Sequence, residues 1–440
     1  MSPMTALGTG LLDEVWPLLT GLPAPAVRVS GGTGLDGPLP VPDLAVGAVA
    51  AQLLAARLLG GGAAEVAVDA AHVGLAFRSE RYAAVAGRPV APGFAPLSRF
   101  WPTADGWLRL HGNYPHHRDA ALRVLGAEGG PAAQRWRAEE LEAAVVAAGG
   151  AAAAVRRPAA WAGTPQGRAV AGTPLVGLRR VVDGPARTAS PDGVRVLDLT
   201  RVIAGPVATR TLASHGADVL RVDSPRLPED PGQLVDTGPG KRHVLLDLAS
   251  AADCRTVEDL LAAADVVVQG YRPGALTGFG LDPASLAARW PHLVLVSLSA
   301  WGTAGPWGRR RGFDSLVQAA TGIAVVCGSD DAPGALPVQA LDHATGHLAA
   351  ATVLAALARR REEGGGWHGA LSLARTAHWL LGAPRRPAGA TEEPVDPAPY
   401  LLSLPAPGGP VTVVAPPGSP PWRTAAAGPA GQRPTWLPRP

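Results

Sequence analysis

Two stretches of this chain place an aspartate at the head of an apolar, helix-spaced run, four residues ahead of a glycine. They are Asp43-Leu44-Ala45-Val46-Gly47 and Asp342-His343-Ala344-Thr345-Gly346. Free N–H groups and the dipole at a helix N-terminus stabilise a carboxylate, so an aspartate there is expected to stay ionised. The same preference makes Asp a common N-cap with no chemistry attached. A second singular residue is Lys241, the one lysine beside 38 arginines, in a glycine-led turn that runs into an apolar strand (Gly240-Lys241-Arg242-His243-Val244-Leu245). A compact ammonium kept at this one place suits a phosphate, and it equally suits a solvated loop. The histidines, His116-His117 included, lack ligand spacing, so no metal site is expected.

Composition narrows the class. At 440 residues the chain can bury a sizeable core in two or three domains. A net charge of +3 without a Lys/Arg stripe interleaved with aromatics argues against nucleic acid. Cys254 and Cys327 are too few for a disulfide framework and fit a reducing cytosol. The N-terminal residues lack a basic n-region, and the apolar runs are Ala-rich and broken by Gly or Arg. A cytoplasmic protein without a membrane span is therefore expected.

The elements that must position these residues begin at Val194. Residues 194–199 read as a strand, 204–206 as a turn, 207–215 as a helix closed by Gly216, and 217–222 as the next strand. Strands follow at 243–248, 265–269 and 293–298, with helices at 251–264 and 282–290. Regular alternation of this kind predicts an α/β fold, a Rossmann-like doubly wound parallel sheet. Its first turn, Thr200 to Pro206, is not G-x-G-x-x-G, so NAD and FAD are not expected. The two Asp-x-x-x-Gly blocks each continue through a helix, a glycine break and an Ala-His pair (Ala71-His72, Ala377-His378). Beyond each lies an aromatic-led strand candidate, at 100–110 and 400–414. An internal duplication is the expected source. Residues 156–191 read as a Pro-rich connector, and 416–440 as poorly ordered.

In order, VRVLDLTRVIAGPVATRTLASHGADVLRVDSP, GKRHVLLDL, ADVVVQGYRPGALTGFGL, LVLVSLSAWGTAGPW, GFDSLVQAATG and LDHATG resemble the class III CoA-transferases, the family of formyl-CoA and carnitine CoA-transferases and 2-methylacyl-CoA racemase. The resemblance implies a nucleotide-binding Rossmann-like domain at 190–382 with smaller α+β domains. Residues 1–185 look like the second half of another family subunit, through FWPTADGWLRLHGNYP and WAGTPQGRAV. Residues 383–440 look like a degenerate Pro/Gly-rich remnant. A fused pair and a circular permutation both describe this order.

By resemblance the chain is an acyl-CoA:carboxylate CoA-transferase. Asp342 would attack the acyl-CoA carbonyl, and the exchange would run through an aspartyl anhydride and an aspartyl thioester. Asp43 would be a cap or relic. Val202 and Ile203 would line the adenine side, Lys241 and Arg242 would approach phosphate, and Tyr271 and Arg272 would match the family's N-F-x-P-G loop. Two family arginines fall at Gly278 and Ser224, with Arg226 close to the latter and Arg309 to Arg311 as substitutes. The implied ligands are a CoA thioester and a small carboxylic acid, with no permanent cofactor, and the implied assembly is a homodimer. The racemase branch carries G-H-D where this chain has Gly312-Phe313-Asp314, and phenylalanine moves no proton. A racemase-type enzyme and a noncatalytic CoA-ester binder are the alternatives.

Overall fold

Short Val/Leu runs become strands buried on both faces, the pattern a parallel sheet covered by helices requires. The computed structural model describes residues 7–62, 66–90, 93–126, 129–187, 190, 192–387, 391–426, 428 and 432–439. Its main sheet has seven strands: β1 (Gly177–Val182), β2 (Arg195–Leu199), β3 (Asp218–Asp223), β4 (Lys241–Leu245), β5 (Val266–Gln269), β6 (Val294–Ser299) and β7 (Gly366–Ser372). Their order is β4-β3-β2-β5-β6-β7-β1. All neighbours are parallel except β1, which pairs antiparallel with β7 at the edge. The strand order reverses between β2 and β5, where an open α/β sheet leaves a crevice at the carboxyl ends of its strands. The Rossmann-like α/β expectation is met.

Two helices start alike. Helix α1 (Thr9–Thr20) packs on α2 (Val41–Gly60), while α3 (Ala204–Ser214) packs on α5 (Ala340–Glu363); α4 (Asp314–Thr321) lies near the start of α5. Helices α2 and α5 are entered through nearly the same backbone, Pro40 at φ −76, ψ 57 and Gln339 at φ −76, ψ 62. Each carries its aspartate at the third helical position and its glycine at the seventh. A Cβ on Gly47 would meet the Gly8 carbonyl oxygen at 2.7 Å, and one on Gly346 would meet that of Ala204 at 2.5 Å. Both glycines thus let a second helix N-terminus lie directly on the first. Helix α5 is Ala- and Leu-rich on every side because α2, α3 and β7 enclose it. After α2 and α5 come a strand and a short helix, Val66–Asp69 with Ala70–Ala76, and β7 with Leu373–Gly382. Val27–Ser30 pairs parallel with Val66–Asp69, as β6 does with β7.

The smaller α+β parts are antiparallel. Phe100–Pro102, Trp107–Leu110 and Ala152–Ala154 form one sheet. Leu401–Leu404 and Val411–Val414 form a hairpin that pairs with Ala84–Val85 of the first half.

Five expectations change. The third strand begins at Lys241 and ends at Leu245, because Lys241 itself joins the ladder opposite Val219. The Ala-His pairs do not correspond: measured from the capping residues Asp69 and Ser372, they sit at different helical positions. Residue 65, counted in the first repeat, lies outside the described residues. The connector is structured, since Pro158 and Pro165 open helices Pro158–Gly163 and Pro165–Ala171, where proline's missing N–H is harmless, and β1 follows. The described residues of the C-terminal stretch dock: Trp422 is buried and donates its indole N–H to the Arg210 carbonyl at 2.8 Å, and Trp436 donates to Leu260 at 3.0 Å. Two large aromatic anchors outweigh the Pro/Gly composition there. Finally, α2 is long and apolar enough to cross a membrane, although 72% of that window is buried inside the protein, largely against α5.

Candidate active site

Strand β2 ends into Thr200-Arg201-Val202 and β5 into Gly270-Tyr271-Arg272, on either side of the crevice. Val202 adopts φ 69. For a β-branched residue that is a left-handed outlier, and it persists only where surroundings hold it. Its N–H donates to the Glu229 carboxylate at 3.0 Å, which also receives the Tyr114 hydroxyl at 2.6 Å and sits 3.4 Å from Arg201 and Arg221. A Cβ on Gly205 would lie 2.3 Å from Thr200, so the chain can turn into α3 only with glycine there.

Two adjoining cavities meet at this turn. One, of about 310 Å³, is lined by Val202, Tyr271, Arg272, Arg311, His116 and Asp342, among others. The other, of about 850 Å³, takes Val202, Ile203, Arg109, His111, Phe313 and again Asp342. Asp342 therefore stands between them, 5% exposed. It does not cap α5; that place belongs to Gln339. Asp314, fully buried at the start of α4, instead accepts the Asp342 N–H at 3.0 Å and the Gln318 amide. Burial, then the Asp314 charge, pushes the Asp342 carboxyl well above its usual range. Burial likewise raises Asp314 to about 6. The expectation that the helix terminus keeps Asp342 readily ionised is corrected: the Asp342 N–H donates to Asp314 instead, while burial and the Asp314 charge act against the ionised Asp342.

Of the residues singled out in the sequence, Asp342, Val202, Ile203, Tyr271 and Arg272 surround these cavities. Burial raises the Tyr271 phenol to about 12, so it is a neutral donor. Lys241 and Arg242 line neither cavity. Both lie at the amino end of β4, whereas the crevice opens at the carboxyl ends. The Lys241 ammonium is buried on Asp198 at 3.1 Å, on the Pro206 carbonyl at 2.9 Å and on Thr209. Burial lowers it to about 8. It is a structural cation that ties β4, β2 and the start of α3 together beneath the turn. Arg242 forks onto Asp218 at 2.8 and 3.0 Å. Arg226, the neighbour of Ser224, pairs with Asp247 at 2.9 Å.

Sequence reading passed over Asp314, Glu229, Arg201 and Tyr114. In the sequence Asp314 stands out only as the neighbour of Phe313. The HGNYPHH run at 111–117 was a signal: it gathers three of the chain's 11 histidines and one of its four tyrosines. His111 stacks on Phe313 with ring centroids 3.6 Å apart, and burial lowers it to about 3. Arg272 and Arg311 both line the smaller cavity with no carboxylate within ion-pair distance among the described residues. Burial, then Arg272, lowers the Arg311 guanidinium. No group of three or more metal-ligating side chains occurs among the described residues.

The site is thus a doubly wound sheet with a buried carboxylate and two guanidiniums without ion-pair partners at its switch point. Residues 192–395 match the model of CoA-transferase family III. It is 33% identical over 311 residues to an acyl-CoA transferase of Gibberella moniliformis, covering 62% of this chain and 54% of that one. It is 32% identical over 188 residues to the succinyl-CoA:glutarate CoA-transferase of Mus musculus, covering 40% and 43%. The crystal structure of Rv3272 from Mycobacterium tuberculosis aligns at 34% identity over 45% of this chain and 56% of that chain, with a TM-score of 0.42. The chain spans about half the length of the curated relatives it matches.

Proposed function

We propose that this chain moves CoA between an acyl-CoA thioester and a carboxylic acid, with Asp342 as the nucleophile. The observation that carries the reading is the position of the Asp342 carboxylate between two cavities. Arg272 and Arg311 line the smaller one without acidic partners, where the phosphates of a CoA ester would find cations. The names of the relatives, an acyl-CoA transferase and a succinyl-CoA:glutarate CoA-transferase, support the same class. No permanent cofactor is needed.

In the proposed sequence the ionised Asp342 oxygen adds to the thioester carbonyl and CoA leaves as thiolate, giving an acyl-aspartyl anhydride. The thiolate then attacks the aspartyl carbonyl and releases the donor acid as carboxylate, leaving an aspartyl thioester. The acceptor carboxylate attacks that thioester and expels the thiolate. The thiolate finally attacks the acceptor's acyl carbon, which regenerates Asp342. Covalent catalysis divides one hard transfer into easier ones. Desolvation suits a weak nucleophile, since an ionised carboxylate stripped of water is more reactive.

Quenching a reaction with hydroxylamine and mapping peptides by mass spectrometry tests this reading. A hydroxamate on Asp342, absent from Asp342→Ala together with all turnover, is the expected result; an unmarked Asp342 or an active Asp342→Ala sinks it. The racemase alternative needs a second base. Phe313 offers none, and His111 held near 3 is a poor one, so deuterium exchange at the acyl α-carbon is not expected. The matching starts of α2 and α5 support a fused pair of subunit-like blocks. Asp43 lines neither cavity and accepts the Gly8 N–H at 3.1 Å, consistent with a structural relic.

A further inference from the structure

The larger cavity contains a buried cation without an anion. Arg109, on Trp107–Leu110, is 9% exposed and lines that cavity with Asp342. The other buried arginines each meet a carboxylate: Arg210 with Asp236 at 3.0 Å, Arg221 with Asp223 at 2.9 Å, and Arg360 with Asp265 at 3.5 Å. Arg109 has none within ion-pair distance among the described residues. Its guanidinium lies 4.9 Å from the ring centroids of both Phe94 and Phe100, and its Nε is buried without a hydrogen-bond partner. Aromatic faces attract a cation, but they do not replace the oxygen acceptors it has lost. Burial lowers the guanidinium to about 10, with Asp314 opposing that shift from a distance.

Two further groups, on other elements around this cavity, lack partners. The Gln233 side-chain amide nitrogen and the Ser315 hydroxyl are both buried without hydrogen bonds, and both residues line this cavity. Buried donors are ordinarily satisfied, so a guanidinium on a residue that lines a cavity and meets no carboxylate indicates what belongs there. An anionic oxygen would supply the acceptor that Arg109 lacks. The thioester-forming carboxylate must reach Asp342, so this second anion is a different group on the same molecule.

We propose that the larger cavity selects dicarboxylic acids, one carboxylate reacting at Asp342 and the distal one held by Arg109. The proposal rests on the transferase reading and names its substrate class. A dicarboxylate can arrive as the free acceptor or as the acyl part of a CoA hemithioester, and both present the same distal anion.

The test compares kcat/KM for straight-chain dicarboxylates of three to six carbons with that for monocarboxylates of equal length, as acceptors and as acyl-CoA donors. The parent protein should prefer dicarboxylates in at least one arm. Arg109→Met should reduce that preference about 10- to 100-fold, chiefly through KM, and Arg109→Lys should recover part of it. The arm that responds tells whether acceptor or donor carries the anion. A parent without the preference, or an Arg109→Met that lowers both substrate classes equally, overturns the proposal. Asp342 hydroxamate formed from a monocarboxylic acyl-CoA by Arg109→Met shows that this variant is folded and competent. If the parent itself forms no hydroxamate, the transferase reading fails. Calorimetric binding of glutarate to the parent and to Arg109→Met then still decides whether the cavity holds a dicarboxylate.

Discussion

Asp342 and Asp314 share one buried space, and their coupling sets how the site should respond to pH. A carboxylate attacks only when ionised, so a raised pKa moves the acid limb of kcat/KM upward from the usual aspartate range. Asp314 contributes to that rise through its charge. Asp314→Asn keeps an oxygen for the Asp342 N–H and removes the charge, so the limb should move to lower pH. A limb that stays in place or moves up would show that Asp314 does not act on Asp342 electrostatically. Stability follows the same sign. For Asp314 the folded pKa, about 6, exceeds the ordinary value of 3.8. Its contribution is fully present below that ordinary value and is lost as pH rises through about 6. Asp342, raised in the same direction, likewise costs the fold stability as it ionises into its reactive form. Asp342 was legible from its spacing and from family-like motifs. Asp314 was not, because its effect arises from burial that no local pattern announces.

At the scale of elements, the glycine of each Asp-x-x-x-Gly stretch matters as much as the aspartate. A methyl at Gly346 would lie 2.5 Å from the Ala204 carbonyl oxygen and 2.9 Å from Val207. That contact forces α3 and α5 apart and moves both Asp342 and the strained Val202 turn. Gly346→Ala should cost about 1–3 kcal/mol by urea unfolding and slow hydroxamate formation on Asp342. Unchanged stability and rate would mean that the two helices can slide freely. Lys241 carries the opposite lesson: its rarity was real, but the sheet register turns the ammonium inward onto Asp198. A side chain at the amino end of a parallel strand is on the wrong side of the sheet for a ligand at the carboxyl ends.

Over the whole molecule, the first half completes what the second begins. Strand β1 closes the edge of the sheet beyond β7, α2 covers one flank of α5, and Tyr114, His116 and Arg109 face the two cavities. The hairpin Leu401–Leu404 and Val411–Val414 returns the favour by extending a sheet begun at Ala84–Val85. Helices α2 and α5 should therefore open as one cooperative unit. Hydrogen exchange should show equal protection for amides in the buried middles of both. Protection in α2 lower by orders of magnitude would make the first half an appendage.

The alternation of strand and helix from Val194, the two aspartate-headed helices and the family-like loops could be read from residues alone. Each depends on periodicity and turn chemistry within about thirty positions. Arg109 approaching the Asp342 cavity, Asp314 capping α5 from another helix, Lys241 withdrawn onto Asp198 and Trp422 anchoring the tail were decided only by tertiary structure. Each joins residues far apart in the chain, and desolvation and charge act through space.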